Sequence, residues 1–86
     1  MNMSIRRLSS NEYYESSDLS LVTTLSLYYP LETIDHRNPQ KAVFIFKRDQ
    51  QMDQLINAYW RGELKVNPQA YFNALKNMKA RLYENR

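Results

Sequence analysis

A chain of 86 residues with no cysteine, one glycine and three prolines is a single domain, neither disulfide-stapled nor loop-rich. Its net charge of +3 comes from one end: residues 1–67 balance eight basic against eight acidic side chains, while Lys76, Lys79, Arg81 and Arg86 face only Glu84. These features exclude a membrane-spanning helix, which needs roughly 18 apolar residues in a row, and a phosphate-cradling loop, which needs several glycines.

Residues 1–11 are polar and aperiodic, and are expected to form a flexible tail ahead of a single α+β domain over residues 12–86. The basic residues in the tail are not followed by an apolar segment, so the tail does not read as a signal peptide. Together with the absence of cysteine this predicts a cytoplasmic protein. Arg6-Arg7-Leu8-Ser9 resembles a basic-directed kinase substrate, a match of only four residues. Residues 12–16 read as a short edge strand with Tyr14 pointing inward, and Ser16-Ser17-Asp18 offers helix N-caps. Residues 19–29 carry two patterns: Leu21, Val22, Leu25, Tyr28 and Tyr29 make a helical stripe, while Leu19, Leu21, Leu25 and Leu27 alternate as in a strand. The caps before this segment and Pro30 after it decide for a helix.

Residues 31–35 are half apolar, and Arg37-Asn38-Pro39-Gln40 reads as a turn. Next comes Lys41-Ala42-Val43-Phe44-Ile45-Phe46-Lys47-Arg48, in which an apolar run between charged ends predicts a central strand covered on both faces. Phe44 and Phe46 are expected in the core. The two segments form a β-hairpin with a loop of four or five residues. Asp49 then caps a second helix with the stripe Met52, Leu55, Ile56 and Tyr59, and Gly62 falls where a helix end favours left-handed backbone. Asn67-Pro68 opens a third helix, whose predicted core stripe is Tyr71, Phe72, Leu75, Met78 and Leu82. The fold class is α+β: a small antiparallel hairpin sheet, with a candidate third strand at its edge, packed by three helices in the order (β)-α-β-β-α-α.

No residues converge on catalysis. His36, the only histidine, stands beside Asp35 at the turn, but one histidine without cysteine makes neither a zinc site nor a nucleophile–base pair, and a solvated turn residue accounts for it. Asp49 with Asp53, and Glu12 and Glu15 with Asp18, have sufficient structural reasons near helix starts. The sequence therefore predicts a non-enzymatic module with no cofactor, no metal and no evident small-molecule substrate. Lys76, Lys79 and Arg86, with Tyr83 among them, form a basic strip beside the core stripe of the third helix. Such a strip can meet phosphates while the ring stacks on a base; equally, Lys and Arg at the edge of an apolar face cover it with their stems. Tyr28, Tyr29, Trp60 and Arg61 are candidates for a protein interface, since Trp and Arg are enriched at hot spots. Trp60 at the margin of a small core is the structural alternative.

Tyr14, Asp18-Leu19, Leu25, Phe44-Ile45-Phe46, Leu55, Tyr59, Val66-Asn67-Pro68, Tyr71-Phe72, Leu75-Lys76, Lys79 and Tyr83 carry a resemblance over roughly residues 13–84. On these residues the chain resembles a family of small, stand-alone bacterial and phage-associated domains of unknown function. The resemblance implies that the first apolar segment is helical, and it brings no catalytic residues. Residues 27–31 depart from it, lacking a glycine near the link from helix to strand. Two functional readings follow: a nucleic-acid-binding accessory module acting through the third helix, or a protein-interaction or self-associating domain, such as a homodimer, using exposed aromatics and the hairpin edge.

Overall fold

The computed structural model describes residues 12–84. The expected tail with its Arg6-Arg7-Leu8-Ser9 motif, and Arg86 of the basic strip, lie outside them. The chain folds as β1 (Tyr13–Ser16), α1 (Leu19–Ser26), β2 (Leu31–Asp35), β3 (Val43–Lys47), α2 (Gln50–Trp60) and α3 (Pro68–Glu84). The three strands make one antiparallel sheet in the order β1-β3-β2, so the apolar run at β3 is the central strand.

Register explains which side chains turn inward. Tyr14 lies opposite Phe46 and Ser16 opposite Phe44, while Leu31 and Ile34 on the other edge face the same two rings. Leu31 and Ile34 are three residues apart and would point to opposite faces of a regular strand. A register shift between Leu31 and Thr33 brings both against the core. The opposite face carries Val43 and Ile45, which remain only half-buried. β3 is therefore central in its hydrogen bonding but fully covered on one face only, contrary to the reading of two covered faces. The helices lie on the Phe44–Phe46 side.

The hairpin loop runs over residues 36–42, longer than the four or five expected. Two local bonds keep its end out of the ladder: the Asn38 side chain accepts from the Gln40 N–H at 2.9 Å and its carbonyl from the Lys41 N–H at 3.2 Å. The Ala42 carbonyl is taken instead by the Ser17 hydroxyl at 2.7 Å. The sheet strand thus begins at Val43.

α1 is the hub. It packs on α2, α3 and β1, and every residue from Leu21 to Leu25 is buried. A helix enclosed all round has no polar face to show, which is why its sequence pattern is ambiguous. Asp18 caps it, its side chain accepting from the Leu21 N–H at 3.1 Å. It ends at Ser26, shorter than the segment 19–29; the N–H groups of Tyr28 and Tyr29 both turn back to the Leu25 carbonyl. Pro30 disfavours further helix at Tyr29. α2 begins at the Asp49 cap and closes at Gly62, whose φ of 71° is left-handed. Glu63 N–H to Ala58 carbonyl and Gly62 N–H to Tyr59 carbonyl, both 3.0 Å, complete a Schellman end. Asn67 caps α3 through a 2.9 Å bond from the Ala70 N–H. Phe44, Phe46 and Ile34 from the sheet meet Leu21, Val22 and Leu25 of α1, Met52 and Ile56 of α2, and Met78 of α3 in a single core.

Candidate functional site

α3 has two stripes with the same spacing. Tyr71, Leu75, Met78 and Leu82 recur at intervals of four, three and four, and so do Phe72, Lys76, Lys79 and Tyr83, one residue later. One residue is about 100° on a helix. The first series turns toward the core, with Met78 buried and Leu82 packed against the cluster. The second series therefore lies along the flank of the helix. Phe72 is 57% exposed and Tyr83 56% exposed, with the exposed Lys76 and Lys79 between them. Placing Phe72 in the core stripe is thus corrected: two adjacent aromatics cannot share a stripe, and Tyr71 takes the inward one. Its hydroxyl lies 3.4 Å from Ser20 Oγ.

The flank reads aromatic, cation, cation, aromatic over about 16 Å, at 1.5 Å per residue. Lys76 Nζ sits 5.1 Å above the Phe72 ring centroid, which holds the ring and the charge in one surface. Among the described residues neither Lys76 nor Lys79 belongs to an ion pair; the pairs are Arg37–Asp35, Arg48–Asp53 and Arg61–Glu63. Shallow recesses mark both ends of the flank. Pro68, Gln69, Phe72 and Asn73 line one of about 420 Å³. At the other end Tyr83 and Leu82 border a larger, half-open cavity of about 770 Å³, lined also by the 36–42 loop and by Ser17 and Leu19 at the start of α1.

Asp35, Asp49 and Asp53 are committed elsewhere. Asp35 forms a two-pronged pair with Arg37 at 2.6 and 3.0 Å and accepts the Arg37 N–H at 2.9 Å. The Arg37 guanidinium, then that backbone N–H, lower its carboxyl to about 2. Asp35 is therefore not free to orient His36, which is half-buried on the cavity wall rather than solvated. Asp53 holds Arg48 at 3.0 Å. Asp49 caps α2 and also accepts the Tyr29 hydroxyl at 2.8 Å; burial first, then this bond, raises the Tyr29 phenol. The described residues contain no group of three potential metal ligands, and none of their helices is long and apolar enough to cross a membrane.

The interface candidates are not brought together. Tyr29 at the end of α1 meets Asp49 at the start of α2, while Tyr59 at the end of α2 donates to Ser20 Oγ at the start of α1, at 2.8 Å. The two helices are antiparallel, so Tyr28 (51% exposed) and Trp60 (61% exposed) stand at opposite ends of the pair. Tyr29 is spent on Asp49, and Arg61 pairs with Glu63 at 3.2 Å. Trp60 stacks edge-on against Tyr59, with centroids 5.0 Å apart.

The elements that carry these features span residues 13–84, and a family model matches residues 11–84. The chain belongs to DUF5659, a domain of unknown function. No curated protein and no solved structure matches it. For this DUF5659 member the functional reading rests on its own geometry. Of the four exposed flank residues the sequence singles out Lys76, Lys79 and Tyr83 and puts Phe72 in the core stripe, although the doubled spacing on α3 carries the signal for it. The large cavity was out of reach, since Ser17, the 36–42 loop and Leu82 are far apart in the chain.

Proposed function

We propose that this domain is a non-enzymatic binding module that holds single-stranded nucleic acid along the flank of α3. One observation carries the reading: Phe72, Lys76, Lys79 and Tyr83 are exposed on one helix face, with neither lysine neutralised by an ion pair among the described residues. Rings offer a π-face to any base, and the ammonium groups meet the phosphates between them. The confinement of the net positive charge to residues 68–86 supports the same polarity. The absence of cysteine fits a cytoplasmic setting, and the resemblance to small bacterial and phage-associated domains fits an accessory role in such a genome.

The test is a fluorescence-anisotropy titration of labelled single- and double-stranded DNA and RNA at two salt concentrations. Single strands should bind better than duplex, with a log–log salt slope of about −1.4 to −2.1 for two or three phosphate contacts. Phe72→Ala and Tyr83→Ala should each weaken binding by about 5-fold to 100-fold, as expected for loss of one stacked base. Lys76→Glu with Lys79→Glu should abolish it. Absence of binding by the unaltered domain at low salt would remove this reading, leaving self-association through Trp60 or Tyr28 to be examined by light scattering.

A further inference from the structure

The cavity at the Tyr83 end of the flank has the size and chemistry of a small-ligand site. Its volume of about 770 Å³ lies within the range of ligand pockets. Its floor is apolar: Leu19, Ala42 and Leu82 line it, over the almost wholly buried Phe44. Lys41 and His36 stand on its wall, and among the described residues no carboxylate lines it. The field inside therefore favours a neutral or negatively charged guest. The Tyr83 ring belongs both to this cavity and to the α3 flank, so the two surfaces are continuous.

We infer that the cavity receives one unstacked nucleotide of the strand that α3 carries, its base against Leu82 beside the Tyr83 ring and its phosphate toward Lys41. This rests on the proposed function and adds a site to it. Leaving the stack costs a base its neighbours, and an apolar floor beside a stacking ring replaces part of that contact. A flat apolar body joined to an anionic group matches a cavity with an apolar floor and a basic wall.

The experiment is an NMR titration of the full chain with nucleoside 5′-monophosphates, using inorganic phosphate and unphosphorylated nucleosides as controls. In parallel, single-stranded oligonucleotides of increasing length are titrated by anisotropy. Monophosphates should shift the Leu82 methyl and His36 ring signals and saturate, more tightly than either control. Gln40→Trp, an exposed loop residue at the cavity, should block this, and Lys41→Glu should weaken it at least 10-fold. Both should shorten the minimal oligonucleotide site by one nucleotide. Lys76→Glu with Lys79→Glu should leave monophosphate binding unchanged. If oligonucleotides bind but monophosphates do not, or the cavity variants leave the site length unaltered, the inference is overturned and the α3 reading stands. If phosphate alone binds as well as the nucleotides, the cavity is an anion site and the inference falls. Monophosphate binding without oligonucleotide binding would uphold a nucleotide cavity and overturn the strand. Failure of both would overturn both.

Discussion

Thr23 is fully buried, and its Oγ1 has no hydrogen-bond partner among the described residues. Thr24, also buried, donates to the Ser20 carbonyl at 2.9 Å. The two hydroxyls have opposite energetics, because a desolvated group without a partner loses its hydration and gains nothing. Thr23→Val keeps the branched shape that α1 packs around and should stabilise the domain by about 1 kcal/mol. That corresponds to a rise of about 4–8 °C in Tm for a domain of this size. Thr24→Val should lower Tm; a calorimetric scan in which both shift alike would show the two environments to be equivalent. Asp35 has a different signature. Its carboxyl, lowered from 3.8 to about 2 by Arg37, favours the folded state above the unfolded value, and that contribution is lost as pH falls through about 2. The NMR midpoint of Asp35 should stand near 2 and return toward 3.8 in Arg37→Ala. Arg37 is exposed, so high salt should move the midpoint the same way.

Most helix starts, and the end of α2, were legible because a single residue sets them; the end of α1, at Ser26 rather than next to Pro30, was not. Asp49, Gly62 and Asn67 each sit where their backbone chemistry requires and were readable in isolation, while Asp18 was one of three cap candidates in Ser16-Ser17-Asp18. What the sequence hid depended on distant partners. Ser17 claims the Ala42 carbonyl and delays β3, the register shift in β2 turns both Leu31 and Ile34 inward, and enclosure of α1 erases its amphipathic pattern. Asp49 joins the two kinds of information. One oxygen, Oδ1, accepts both the Met52 N–H at 2.9 Å and the Tyr29 hydroxyl at 2.8 Å, so the cap also ties α2 to the end of α1. Asn67 serves its own helix only. Asn67→Ala should cost about 1 kcal/mol. Asp49→Ala should cost more, by about 0.5–1.5 kcal/mol for the lost tyrosine bond. A double-mutant cycle with Tyr29→Phe reads that excess; zero coupling in urea denaturation would mean that the cap acts alone.

Across the whole molecule, core and flank are separated by a rotation of one residue on α3. The core was readable because Phe44 and Phe46 stand in an unbroken apolar run. The flank was only partly readable, because Phe72 beside Tyr71 looks like more core until the helix is given neighbours. That separation lets stability and the proposed binding along the flank be tested apart. Phe44 is 2% exposed at the centre of the cluster, and Phe44→Ala should cost about 3–5 kcal/mol. A small domain has little more than that to lose, so binding would disappear together with the folded state. Phe72 is mostly in solvent and touches the Lys76 ammonium rather than the core cluster. Phe72→Ala should leave the denaturation midpoint within about 0.5 kcal/mol of the unaltered chain, the usual range for a surface change. Its effect should appear only in the nucleic-acid titration. Circular-dichroism melts of the two variants decide the matter. If Phe72→Ala melts as early as Phe44→Ala, the outer stripe is part of the core and the flank cannot be a separate binding surface.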